Sequence, residues 1–230
     1  MDELDIKKNK LSIWLKMVIA GASLIIVFVL LRVFGVLQWY TIYTTGNMPT
    51  INVGDHILAT NLITPDRFDL VTFKHKEGGR EEIWIKRLCA FEGESVQIIA
   101  GDLYINDVYQ DKDLNLMHDY RSEKLMADVM ISRLDLEAHL HYIPYQQEDS
   151  LDLLLSTDQA ASRPTLRRII KNEPNDSIAS FWGENWNENY FGPIIIPKNN
   201  CFVLGDNREQ SKDSRYIGFV AMDDIYGVLF

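Results

Sequence analysis

A long uncharged apolar segment near the N-terminus constrains this chain more than any other feature. Residues 17–31 read MVIAGASLIIVFVLL. As a helix they rise about 22 Å, less than the roughly 30 Å of a membrane's hydrocarbon core. The apolar pattern continues on both sides, and the long side chains of Lys16 and Arg32 can reach the lipid headgroups near its ends. We therefore predict a single transmembrane helix over residues 13–37.

The residues flanking this segment predict its orientation. Lys7, Lys8, Lys10 and Lys16 precede it, and nearby acidic residues count little in the positive-inside rule. A cleaved export signal is the alternative, but the apolar run is longer than the usual core of about 7–15 residues and no clean cleavage site follows it. The sequence thus predicts a cytoplasmic tail over residues 1–12 and a single-pass protein of the cytoplasmic membrane. Its main domain would be periplasmic or extracellular, and membrane lipid would be a partner.

Composition excludes several functional classes. The net charge of −10, without a basic stripe, argues against nucleic-acid binding. The two cysteines, Cys89 and Cys201, exclude a disulfide-dense scaffold and lack the paired spacing of a structural zinc site. We favour two buried free thiols over a disulfide. His139 and His141 could hold a metal only if they lay on a strand, and they have no carboxylate partner, so we predict neither metal nor cofactor.

Short β-rich runs dominate both ends of the main domain. Turn residues separate them, and a hairpin is expected to turn at Gly101-Asp102. The predicted strands cover residues 55–60, 69–73, 83–88, 95–107, 194–197 and 201–204. The pattern indicates a mainly β core built from residues 38–106 and 193–230.

The middle of the chain, residues 107–192, differs in pattern. Apolar spacing predicts a helix over residues 123–140, although a period of two fits almost as well from Met130 onward. A second short helix is expected over residues 163–171, beginning near Pro164. We interpret residues 107–192 as an inserted mixed α/β cap.

Two short segments carry the chemistry of the chain. Residues 205–220 read GDNREQSKDSRYIGFV, a dense polar turn in which Gly205 permits a sharp bend and Asp213 can pair with Arg208 or Arg215. By itself this turn could be purely structural. In residues 84–91, strand alternation puts Lys86 on one face with Trp84 and Leu88. A lysine desolvated there would have a lowered pKa and could act as a general base; the alternative is an edge lysine that reaches solvent.

Together the segments resemble a known family. Three segments resemble the sequence boxes of bacterial type I signal peptidases and occur in the same order along the chain, behind a similar N-terminal span. In that order they are PTINVGD, WIKRLCAFEGESV and GDNREQSKDSRYIGFV. The resemblance covers residues 37–105 and 190–230. It implies the signal peptidase β fold and a serine endopeptidase with a Ser-Lys dyad. Its substrates would be signal peptides of exported preproteins, bound as an added β-strand and cut after Ala-x-Ala.

The resemblance also assigns roles to residues. It implies that Lys86 is the general base, that Ser211 orients Lys86 and that Thr44 occupies the oxyanion position. Asp213 and Arg215 would form an ion pair beneath the site, and we expect Lys86 and Ser211 to lie within hydrogen-bond reach. The remaining supporting positions are Asp206, Asn207, Arg208 and Ser214.

One departure is central, because no serine occupies the nucleophile position. The stretch reads Thr44-Thr45-Gly46-Asn47-Met48-Pro49-Thr50. Without a gap in the match the nucleophile position is Gly46, and with a one-residue gap it is Asn47. Glycine has no side chain and an amide is a very poor nucleophile. Glycine at 46 could also hold a backbone angle that serine cannot adopt.

Three interpretations remain open. In the first, the chain is degenerate at the nucleophile and binds export substrates without cutting them, as a binding or assembly factor for exported proteins. In the second, it cuts with a displaced hydroxyl from Thr45 or Thr44, which would have to reach Lys86. In the third, it cuts by other means or works with an active paralogue.

Overall fold

The computed structural model describes residues 3–134, 146–147 and 149–230, and its first element is a long helix. Helix α1 runs from Glu3 to Val33, and its segment Ile13–Val33 is long and apolar enough to cross a membrane. The helix ends four residues before residue 37, the predicted end of the span. The helix ends at Val33 because Gly35 adopts a left-handed φ of 71° and the Leu37 amide folds back to the Leu31 carbonyl.

Strands form most of the remaining described chain, which confirms the mainly β prediction. They are β1 Gln38–Thr41, β2 His56–Thr60, β3 Leu70–Glu77, β4 Arg80–Phe91, β5 Ser95–Ile99, β6 Asp102–Ile105, β7 Val108–Tyr109, β8 Met117–Glu123, β9 Gln146–Gln147, β10 Ser150–Ser156, β11 Arg167–Arg168, β12 Tyr190–Ile195, β13 Asn200–Leu204, β14 Val220–Ala221 and β15 Ile225–Leu229.

These strands build three antiparallel sheets. A seven-stranded sheet has the order β1-β2-β15-β3-β4-β13-β14. A four-stranded sheet has the order β12-β5-β6-β7, in which β5 and β6 form the predicted hairpin. Its turn lies at Ala100 and Gly101, both with positive φ. The other four-stranded sheet, β11-β8-β10-β9, falls within the segment that the sequence predicted as an insert.

Four further helices are described, and they correct one prediction. They are α2 Lys124–Leu134, α3 Thr157–Ala161, α4 Asp176–Trp182 and α5 Ser214–Ile217, with 3-10 turns at Asp111–Asp113 and Met222–Asp224. Helix α2 confirms the start of the helix predicted over residues 123–140, whose end, with His139 and His141, lies outside the described residues. The helix predicted over residues 163–171 is wrong, because Arg167 and Arg168 pair with β8 as strand β11.

Two apolar clusters stabilise the β core. One packs Val71, Phe73 and Leu88 with Cys201 and Val203 inside the large sheet. The other joins this sheet to β5, β6 and β12 and includes Cys89, Phe191 and Phe202. Each fully buried side chain of this size contributes about 1.5–3 kcal/mol. Both cysteines are buried and free, as predicted, and burial raises the pKa of each thiol to about 12, which keeps them protonated and unreactive.

A buried ion pair ties the start of the predicted insert to the polar turn of residues 205–220. Arg208 donates two hydrogen bonds, of 2.8 and 2.7 Å, to the carboxylate of Asp111. Asp111 also accepts a hydrogen bond from the Leu103 amide at the start of strand β6. Both charged side chains are buried, and each neutralises the charge of the other. Burial of either charge without its partner would cost free energy.

We expect Asp111→Ala to destabilise the fold strongly. Removal of the carboxylate leaves the buried Arg208 guanidinium without its counter-charge, a change that costs about 3–5 kcal/mol. Asp113→Ala is the matched control: it lies on the same 3-10 turn, but its side chain is exposed, so the substitution should change stability by less than about 0.5 kcal/mol. The measurement is the shift in melting temperature, and equal shifts for both variants would contradict the role of this ion pair.

Candidate active site

Lys86 lies on strand β4, opposite Val71 of strand β3, and of the two environments that the sequence left open the structure has the buried one. Only 7% of the residue is exposed. Among the described residues its amine makes no hydrogen bond; the Trp84 ring lies 5.8 Å away. Burial lowers the pKa of Lys86, and this outweighs the opposing pull of Asp213. This shift makes the neutral amine, the form that a general base needs, more accessible than in an exposed lysine.

Gly46 faces Lys86 directly. A Cβ atom built on Gly46 would lie 3.2 Å from Lys86 Nζ, 3.6 Å from Ser211 Oγ and 3.8 Å from the carbonyl oxygen of Gln210. The backbone of Gly46 is outside the left-handed region, so the expected restriction on its backbone angle is wrong. A residue with a side chain can adopt this conformation, and that side chain would point at the lysine amine.

The other hydroxyl and amide groups of the same loop have different surroundings. Asn47 is buried, and its Nδ2 donates to the Ile85 carbonyl oxygen at 2.8 Å. Thr45 donates its hydroxyl hydrogen to Gln210 Oε1 at 3.0 Å. Thr44 is exposed and lines the cleft beside the site. Within the described chain none of the three side chains is hydrogen-bonded to Lys86.

Ser211 also lies close to this position, with its Oγ 3.6 Å from the same Cβ. The Oγ is buried and has no hydrogen-bond partner in the described part of the chain, so it is not hydrogen-bonded to Lys86. That the two groups lie within reach of each other stays a prediction. Both groups lie close to the side-chain position of residue 46, where glycine offers no hydroxyl to either of them. Gly205 packs against Ser211 and the Gly46 carbonyl so closely that a Cβ would collide with both. Glycine is needed at residue 205 because a side chain would collide with these neighbours, and not because of its backbone angle, since its φ is outside the left-handed region.

A fully buried ion pair supports the turn that carries Ser211. Arg215 donates from Nε and Nη2 to the two carboxylate oxygens of Asp213, both at 2.8 Å. The sequence allowed either Arg208 or Arg215 as the partner of Asp213, and in the structure the partner is Arg215. Burial alone would raise the pKa of Asp213, but Arg215 and the Gly205 amide hold it below its ordinary value. Ser214 is buried beside the pair and accepts a hydrogen bond from the Val203 amide.

The turn also binds the loop that contains Gly46. The Asn207 amide donates to the Gly46 carbonyl at 3.1 Å, and Asn207 Nδ2 donates to the Thr45 carbonyl at 3.2 Å. Asp206 pairs with Arg87, whose Nε lies 2.7 Å from Asp206 Oδ1. Sequence reasoning missed Arg87, although strand alternation puts it on the face opposite Lys86.

A cleft of about 410 Å³ leads to Lys86 and Gly46. Residues 41–44 form one wall and residues 82–86 of strand β4 form the other, with Gln210 and Lys212 at one side. Strand β4 pairs with β13 only from Arg87 onward, so the edge of its earlier residues has no strand beside it within the described residues. An unpaired edge of this kind can accept an extended peptide as an added strand.

Comparison with known proteins identifies a family for this chain. The family model for signal peptidase, peptidase S26, matches residues 14–230. A signal peptidase I from Aquifex aeolicus is 30% identical over 203 residues, covering 84% of this chain and 74% of the relative. A signal peptidase I from Streptococcus pneumoniae is 26% identical, covering 86% and 83%. A crystal structure of a signal peptidase I from Enterococcus faecalis matches 73% of this chain and 98% of its own, at 24% identity and a TM-score of 0.35.

The lowered pKa of Lys86 predicts a pH-dependent stability. Between the folded-state pKa and the ordinary value of 10.5, the unfolded chain binds more protons at this lysine than the folded chain, so wild-type stability rises with pH across that window. Lys86→Met removes the titrating group. We expect the variant to melt at a higher temperature than wild type at neutral pH, with the difference shrinking as the pH approaches about 10.5.

Lys76→Met is the matched control, because Lys76 is an exposed lysine on the neighbouring strand β3. It should not gain stability at neutral pH. A neutral-pH gain that is equal in the two variants would show that the effect does not come from desolvation of Lys86.

Proposed function

This chain belongs to the signal peptidase, peptidase S26, family, and we propose that it recognises signal peptides of exported preproteins without forming an acyl-enzyme. It is a membrane-anchored member with an N-terminal apolar helix. One observation carries the proposal. The position that faces the buried Lys86 amine and Ser211 Oγ is Gly46, which has no side chain to acylate.

The surroundings of Gly46 support the ungapped match to the family. The alternative nucleophile position, Asn47, has its amide bound to the Ile85 carbonyl. The displaced-hydroxyl alternative has less support, since the Thr45 hydroxyl is bound to Gln210 and Thr44 is exposed. In this proposal Lys86, Ser211, Asp213 and Arg215 retain the roles that the resemblance implies, and only the nucleophile is missing.

The cleft beside Lys86 supports recognition of an extended peptide. The free edge of strand β4 would pair with the peptide backbone, and the apolar wall includes Ile42 and Ile83. Small residues at the cleavage site would fit where the peptide approaches Gly46, as the Ala-x-Ala preference of the family implies. Cleavage of the same preproteins through an acyl-enzyme would then be carried out by an active paralogue, which we propose as a further partner.

Restoring a serine at residue 46 tests the proposal. We expect Gly46→Ser to cleave an Ala-x-Ala signal peptide at least about 100-fold faster than wild type, because Lys86 would then activate a hydroxyl within its reach. Hydroxylamine added to this variant should yield the hydroxamate of the signal peptide, which reports an acyl-enzyme. Wild type should yield none.

Two further variants separate the alternatives. Asn47→Ser should not create an acyl-enzyme, since that side chain points at the Ile85 carbonyl. Thr45→Val in the wild-type chain should leave peptide binding intact. If wild type instead forms the hydroxamate and Thr45→Val or Thr44→Val abolishes it in a folded protein, threonine is the nucleophile and the proposal is wrong.

The proposal also places the main domain outside the cytoplasmic membrane, in contact with lipid. Phe34, Trp39 and Tyr43 follow the apolar helix and expose their rings, as interfacial aromatic residues do. A reporter enzyme that is active only after export should therefore be active when fused after Phe230. The same reporter fused after Lys10, ahead of the span, should be inactive. The reverse result would overturn the orientation.

A further inference from the structure

We infer that a water molecule binds in front of Gly46, within reach of Lys86 Nζ and Ser211 Oγ, and that Lys86 activates this water to hydrolyse the bound peptide directly. The inference rests on the proposed function, since the substrate is the signal peptide in the same cleft. It deepens that function by assigning a nucleophile that is not part of the protein.

The first support is the polarity of the position. The three atoms nearest to a Cβ built on Gly46 are an amine nitrogen, a hydroxyl oxygen and a carbonyl oxygen, at 3.2, 3.6 and 3.8 Å. They belong to Lys86, Ser211 and Gln210. A buried water needs two to four polar partners, and an apolar atom gains nothing from such neighbours. The space in front of Gly46 is therefore lined by groups that suit a bound water.

The second support is that two of these groups have no other partner. Ser211 Oγ is buried without a hydrogen bond, and the Lys86 amine makes none either in the described part of the chain. Ser211 Oγ in particular calls for an explanation, because buried polar atoms are normally hydrogen-bonded. A water between Lys86 and Ser211 satisfies both, and it gives Ser211 the same orienting role that it would have toward a serine nucleophile.

The third support is the burial of Lys86 beside this position. The residue is 7% exposed and burial lowers its pKa, which favours acceptance of a proton from a bound water. The cleft reaches both Gly46 and Lys86, so a water at this position adjoins a peptide bound along strand β4.

The reaction balances with water as the only co-reactant. The water oxygen attacks the carbonyl carbon of the scissile peptide bond while the neutral Lys86 amine takes one of its protons. The tetrahedral intermediate then breaks its C–N bond, and the Lys86 ammonium gives that proton to the departing amine nitrogen. The products are the carboxylic acid of the signal peptide and the free amino terminus of the mature chain, and Lys86 is again neutral.

The test uses the full chain in detergent with a fluorogenic Ala-x-Ala signal peptide. We expect slow, linear wild-type cleavage without an initial burst and without hydroxamate when hydroxylamine is present. Lys86→Met, purified in parallel, should lose about 100- to 10,000-fold in rate and so defines the background from host peptidases. Gly46→Ala adds a methyl group 3.2 Å from Lys86 Nζ, which leaves no room for a water between them, so this variant should lose at least about 100-fold while still binding the peptide.

Gly21→Ala is the matched glycine-to-alanine control. Gly21 lies on helix α1, and a Cβ there would meet nothing within 4 Å, so its rate should equal that of wild type. If the peptide binds but wild type cleaves it no faster than Lys86→Met, the water mechanism is wrong and the proposed recognition function stands. Equal cleavage by wild type and Gly46→Ala, or a hydroxamate from wild type, also overturns the mechanism. Failure of the peptide to bind overturns the proposed function itself.

Discussion

The buried ion pair between Asp213 and Arg215 is the interaction on which the rest of the site depends. Two charge-assisted hydrogen bonds join the side chains, and both are almost completely inaccessible to solvent. Asp213 also accepts a hydrogen bond from the Gly205 amide, and Arg215 donates to the Arg208 carbonyl. The pair therefore closes the turn that carries Ser211. Loss of either partner would leave a buried charge unpaired, at a cost of about 3–5 kcal/mol.

The same pair sets the electrostatics around Lys86. Burial is the largest influence on this lysine and lowers its pKa, while Asp213 alone would stabilise the ammonium form and raise it. Arg215 opposes Asp213, because its positive charge is held against that carboxylate. The ion pair thus supports the turn without reversing the lowering of the Lys86 pKa that burial causes. An unpaired aspartate at the same place would favour a charged, non-basic lysine.

Sequence patterns predicted the parts of the fold that depend on local periodicity or on one recognisable segment. The apolar helix and the β5–β6 hairpin are of this kind, whereas the sequence left open whether Lys86 is buried. Tertiary pairing decided the rest. Residues 163–171 looked helical, but Arg167 and Arg168 complete a sheet edge beside β8. The Arg208–Asp111 pair joins residues 97 positions apart, and no local pattern identifies such a partner.

The absent Lys86–Ser211 hydrogen bond shows what one side chain contributes to this arrangement. Both groups lie beside the side-chain position of residue 46, and a hydroxyl there could bond to each of them. Glycine removes that hydroxyl but leaves the loop attached to the turn through Asn207, and its backbone is not in a conformation reserved for glycine. The framework therefore does not depend on the nucleophile. The lysine stays desolvated, the serine stays buried, and the chemistry of the site is decided by what occupies the space between them.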